Sequence, residues 1–241
     1  MKQFAAVSDS TNAAKWRAMI PAMYKMYNHF MYANPTGLTP FTFKTAAGTN
    51  YANGLRGYNY GLDASRVPWR VGMDFLWYGF TNSTAAKAVH PTVNGYLSRD
   101  LPKRQAAWFN TAIGGTSTTA GMPQMAYESY ELNGAVTPGK SRFGQRNMVS
   151  GMAVGAMTDG ANQVFLNQAY QWMIKQTPGS SYSENGVTIS PDYYGDTVLM
   201  FCLIAVTSNM PNLPLSLLAG RSTRPASRPA ARCFWDRAPA V

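Results

Sequence analysis

The chain has 241 residues, of which 46% are hydrophobic and only 13% charged, and it carries a net charge of +10. That is enough apolar residue for a packed core in one large or two small domains. Two histidines and two cysteines are too few for a histidine-rich metal centre or a zinc ribbon, and 11 acidic residues are too few for an acid-lined cleft.

The predicted elements are mostly helices. Residues 11–31 place Trp16, Met19, Ile20, Met23, Tyr24, Tyr27, Phe30 and Met31 at helical spacing, with Pro21 expected to kink or break the run. A long loop rich in Gly, Thr, Asn and Tyr follows over 34–62. Further helices are predicted over 65–78, 83–97 and 103–111, with a helical turn at 125–132. The Gly-, Ala- and Met-rich stretch 142–157 reads as a closely packed helix, and 161–175 and 193–208 complete the set. The segment 178–191 is a Ser/Gly/Asn loop with room for a short strand pair. With no strand repeat, the pattern predicts an all-α fold of stacked helical hairpins, whose long loops gather at one end as a cleft.

The boundary falls near residue 214. Residues 1–214 read as the folded domain, and 215–241 as an Arg/Pro/Ala-rich tail without a periodic apolar face, expected to be disordered. Five arginines between 221 and 237 face only Asp236, so much of the positive charge lies in that tail. The body has no run of basic residues interleaved with aromatics, so it carries no nucleic-acid footprint. The longest apolar run, VLMFCLIAV at 198–206, is half a membrane span and reads as a core helix. The opening MKQFAAVS lacks the apolar centre of a signal peptide. Cys202 reads as a buried core thiol and Cys233 as incidental; His29 and His90 are isolated.

One stretch asks for a chemical explanation. YNYGLDASRVPWR (58–70) sets Asp63 among aromatics, three residues ahead of Arg66, and runs on into the apolar VGMDFLWYGF. Read from spacing alone, Asp63 is either the N-cap of the following helix or a catalytic carboxylate. Two more segments carry a pattern: VGAMTD (154–159) followed by FLNQAY (165–170), and YYGDTVL (193–199) running on to SNMPN (208–212). Together with NPTGL (34–38), these segments resemble glycoside hydrolase family 8, the inverting endo-β-1,4-glucanase and xylanase family, whose first motif reads Tyr-Asp-Ala-x-Arg-x-Pro-Trp-Arg.

The resemblance implies an extracellular enzyme without cofactor or metal, acting on a neutral polysaccharide, built on the C-terminal part of an (α/α)6 toroid incomplete at its N-terminus. It implies that Asp63 is the general base and Arg66 the arginine beside it, where a cation favours the ionised form a base needs. It implies substrate contacts from Tyr58, Tyr60, Tyr193 and Tyr194; the other reading of Tyr193 and Tyr194 is core packing and a helix cap. Trp69 and Trp77 read as core rather than as sugar platforms, and Trp108 fits either role. Two departures stand out. Leu62 replaces the tyrosine that precedes the base, and nothing matches the family's general acid. Glu128, Glu131 and Glu184 lack its context, so none is assigned that role. The expectation is a glycoside hydrolase-like domain that alone is weak or inactive, with a missing N-terminal half as a possible partner. The alternatives are a non-catalytic glycan-binding module or a structural protein of stacked hairpins.

Overall fold

The computed structural model describes residues 8–45, 51–53, 59–78, 97–113, 126–140, 145–184 and 186–210. The predicted helix at 83–97 lies outside these residues except for its last position, and the tail and Tyr58 lie outside them too.

Helix α1, Ser10–Ala33, begins where the Asp9 carboxylate accepts the Asn12 amide at 3.0 Å and runs through Pro21 without a break. It stops at the sequence Asn34-Pro35, and Gly37 supplies the positive φ of the following turn. Strands β1, Phe43–Thr45, and β2, Tyr51–Asn53, form an antiparallel pair. Strand β3, Tyr60–Gly61, leads through a 3-10 turn, Leu62–Ser65, into α2, Arg66–Tyr78. Helix α3, Leu97–Ala112, is longer than its periodicity predicts and contains Pro102. Strand β4, Ser129–Tyr130, stands where a helical turn was predicted; α4 is Gln145–Ala156 and α5 is Gln163–Met173, entered by the 3-10 turn Gly160–Asn162. Strands β5, Tyr182–Glu184, and β6, Val187–Ile189, form the strand pair for which 178–191 has room, and α6 is Tyr193–Val206.

Helix α4 is the centre. It packs on α2, α3, α5 and α6, and residues 146–156 are all buried. Its small residues explain the close approach. A Cβ at Gly151 would overlap the Ser65 carbonyl oxygen, and one at Gly155 would come within 3.1 Å of the Pro102 carbonyl oxygen and of Pro68. Gly151 and Gly155 are four apart and so share one helix face. That face presses α4 onto the turn that opens α2. Its Met148 and Met152 join Phe109, Phe165, Trp172, Leu199 and Cys202 in one apolar cluster.

This architecture corrects the expectation of an all-α fold of hairpins belonging to an (α/α)6 toroid incomplete at its N-terminus. The described chain is mixed, with three two-stranded antiparallel sheets among its helices. The helices gather around α4 rather than following one another as successive hairpins; α2 packs against α4 as well as against α3, its neighbour among the described helices. The physical reason lies in the loops. Short aromatic and β-branched runs such as FKT and VTI satisfy their backbone groups by pairing, which helical periodicity does not register.

Candidate functional site

The site is built where β3 turns into α2. Tyr60 pairs with Tyr130 and Gly61 with Ser129, antiparallel. The pairing is tight: a Cβ at Gly61 would come within 2.9 Å of the Glu128 carbonyl oxygen. The chain then leaves the sheet in a single 3-10 turn, and Asp63 occupies it.

The Asp63 side chain is 47% exposed and forms an ion pair with the Arg66 guanidinium, whose Nε also donates to the Asp63 carbonyl at 3.4 Å. The i, i+3 spacing across the turn brings the two side chains to one face. Arg66 in turn lies over the Tyr194 ring, 5.6 Å from its centroid, at a distance where the ring quadrupole attracts a cation. Burial pushes the Tyr194 phenol above its usual range, while the Ser65 side chain and the charge of Arg66 pull it back. Ser65 is fully buried and accepts a hydrogen bond from Asn147 Nδ2 at 2.9 Å. Thus Asp63, Arg66 and Tyr194, which come from two distant segments, meet at one place.

The other predicted residues fall elsewhere. Tyr60 is fully buried; its ring packs edge-on against Trp108 at 6.3 Å, and burial pushes its phenol well up. Tyr193, next to Tyr194, is 89% exposed. It lines an open groove of about 400 Å³ with Pro178, Gly179, Pro191, Asp192 and Met200. Trp69 and Trp77 are half-buried against the main cluster, and Trp69 stacks on Phe201 at 5.8 Å.

Most other carboxylates among the described residues have work inside the fold. Asp9 caps α1, and Asp192 caps α6 by accepting the Gly195 amide at 2.7 Å. Asp74 accepts from the Tyr24 hydroxyl, and Asp159 binds Lys103 at 2.9 Å together with Arg99. Asp196 pairs with Arg146, and Glu128 with Lys140 at 3.2 Å. Glu128 and Glu131 flank strand β4 on either side, so they do not share a helical face. Among the described residues no group of three or more His, Cys, Asp and Glu could hold a metal ion.

Sequence reasoning missed Ser65, Arg146 and Asn147. The one signal available was polarity out of place: Arg146, Asn147 and Ser150 interrupt an otherwise apolar helix, and all three are buried.

No family model matches the chain. It is similar to a β-glucanase of Niallia circulans, 27% identical over 209 residues, which are 83% of this chain and 42% of that protein. It is similar to endoglucanase A of Acetivibrio thermocellus, 26% identical over 218 residues, 90% of this chain and 37% of that one. Endoglucanase 2 of Ruminiclostridium josui is 28% identical over 206 residues, 86% of this chain and 36% of that one. The chain thus spans less than half the length of these relatives. In structure it is similar to the apo form of a β-1,3-1,4-glucanase from Paenibacillus sp. X4, with a TM-score of 0.58 at 20% identity over 82% of this chain and 45% of that one, a likeness of fold alone. These findings correct the assignment to glycoside hydrolase family 8: without a matching family model, and with relatives below 30% identity, the likeness is to glucanases and goes no finer.

Proposed function

We propose that this chain is a glycoside hydrolase module for β-glucan, with Asp63 as general base and Arg66 holding it in place. The observation that supports it best is the Asp63–Arg66 pair, half-exposed and capped on one side by Tyr194, in a chain where most other described carboxylates are committed to caps and internal bonds. The names of the relatives support the substrate class. The polymer is a neutral β-1,4-linked glucan or xylan, and the enzyme works outside the cell.

In this reading Asp63 takes a proton from a water molecule as that water attacks the anomeric carbon. Inverting hydrolysis then needs a second carboxyl group roughly 6.5–9.5 Å away to protonate the leaving oxygen. Neither Glu128, held by Lys140, nor Glu131 is assigned that task. Turnover by this chain alone is therefore expected to be weak or absent. The same observation favours a second reading, a glycan-binding module that does not cleave.

The test is release of reducing ends from carboxymethylcellulose, mixed-linkage β-glucan and xylan. Weak turnover removed by Asp63→Asn supports the base assignment; turnover indifferent to that substitution rules it out. Binding of glucan without turnover selects the second reading.

A further inference from the structure

Helix α4 opens with two adjacent buried polar residues, Arg146 at 2% exposure and Asn147 at 3%. Each reaches a different wall of the site. Asn147 Nδ2 donates to Ser65 Oγ at 2.9 Å, in the turn that holds Asp63, and Ser65 draws the Tyr194 phenol down from where burial puts it. Arg146 reaches the first turns of α6: its guanidinium pairs with Asp196, donates to the Ser180 carbonyl at 2.6 Å, and bonds Gln176 Oε1 at 3.3 Å. Asp196 also accepts the Gly179 amide at 2.8 Å. One helix turn therefore grips both the Asp63 turn and the helix end that carries Tyr194.

Packing does not require this. A buried ion pair is often no more stabilising than apolar residues of the same volume, and a buried amide is favourable only when bonded. The Gly151 contact already seats α4 on Ser65. What the two polar side chains add is direction: they fix the hydroxyl of Ser65 and the orientation of the α6 end, and so the angle at which Tyr194 faces Arg66.

We propose that Asn147 and Arg146 are positioning residues of the Asp63 site, Asn147 acting through Ser65 on Tyr194 and Arg146 acting through Asp196 on the first turns of α6. This rests on the reading of Asp63 as the site's base, and the test separates the two. Asn147→Ala, Ser65→Ala and the double variant are compared with Ile113→Val, a core truncation just past the end of α3. The Tyr194 ionisation is followed by ring-labelled tyrosine NMR, assigned with Tyr194→Phe, and glucan turnover is followed alongside.

The expected result is that Tyr194 titrates at higher pH in Asn147→Ala and in Ser65→Ala. The double variant should show no further shift, and Ile113→Val none at all. Turnover, measured well below the melting temperature, should fall by about tenfold in the same variants and recover in part in Asn147→Gln. For the arginine, Arg146→Lys should keep more of the turnover than Arg146→Met at equal folded fraction. A Tyr194 titration unchanged in Asn147→Ala, or losses of turnover that only track melting temperature across all variants including Ile113→Val, would overturn the proposal. If the parent chain has no turnover, as the unassigned acid predicts, the Asp63 reading is judged by its own test, and the Tyr194 titration, followed in the Asn147 and Arg146 variants alike, decides this one.

Discussion

Asp159 stands where α3 meets the entry to α5. Lys103 at 2.9 Å, the Ala161 amide at 2.9 Å and Arg99 together hold its carboxyl down at about 2. A depressed carboxyl contributes stability above the unfolded value of about 3.9, and that stability is lost as pH falls towards the folded value. Acid unfolding should therefore steepen between about pH 4 and pH 2, and Asp159→Asn should flatten that limb while lowering stability at neutral pH. Urea titrations at a series of pH values check both arms. The sequence marks this residue only as the last of the VGAMTD segment, not by its charged partners. Lys103 and Arg99 are some sixty positions away, and spacing does not reveal a contact of that kind. Asp63 was legible for the opposite reason: its ion-pair partner is three residues on, within reach of a local pattern. Ser65 was not, because its bond to Asn147 joins residues 82 positions apart.

At the scale of elements, α4 is the most exacting piece. Gly151→Ala would drive a methyl group into the backbone oxygen of Ser65, which has no flexible end to move aside. Such overpacking costs about 1–3 kcal/mol, and here the relief must come from the turn that holds Asp63. Chemical denaturation should register the loss, and any hydrolytic activity should fall further than that of a variant equally destabilised elsewhere. Gly186→Ala, by contrast, meets no atom within 4 Å, although its positive φ strains any side chain. Its expected cost is about 1 kcal/mol, without an effect on the site. The helices themselves were readable: α2, α4, α5 and α6 lie within a few residues of their predicted limits. Two expectations gave way. Pro21 sits inside an unbroken α1. Within the turn predicted at 125–132, Ser129–Tyr130 form a strand, because they find backbone partners in Gly61 and Tyr60, which no local window contains.

Over the whole molecule, Cys202 offers a gauge of how firmly the core closes. It is fully buried on α6, and burial alone pushes its thiol well up from the usual range. Both factors suppress the thiolate that reacts. With Cys233→Ser to remove the second thiol, labelling of Cys202 by a disulfide reagent should need opening of the α4–α6 packing. Its rate should rise with urea along the same curve as global unfolding. Fast labelling in native buffer would mean that α6 opens on its own. The grouping of helices around α4 was not legible from periodicity, since α6 is apolar on every side and its pattern names no face.

The pairing of β3 with β4 carries a consequence in time. Tyr60 and Tyr130 join strands separated by the whole of α2 and α3, and the Asn147–Ser65 bond closes a longer loop still. Closing such loops loses chain entropy before any contact compensates for it, so long-range pairings form late. Helices α2 and α4 can form as local segments early in refolding, whereas the turn bearing Asp63 takes shape only when both loops have closed. In a stopped-flow refolding experiment, helical signal should therefore return ahead of the Tyr194 environment. The turn that carries Asp63 is thus expected to be the last part of the molecule to form.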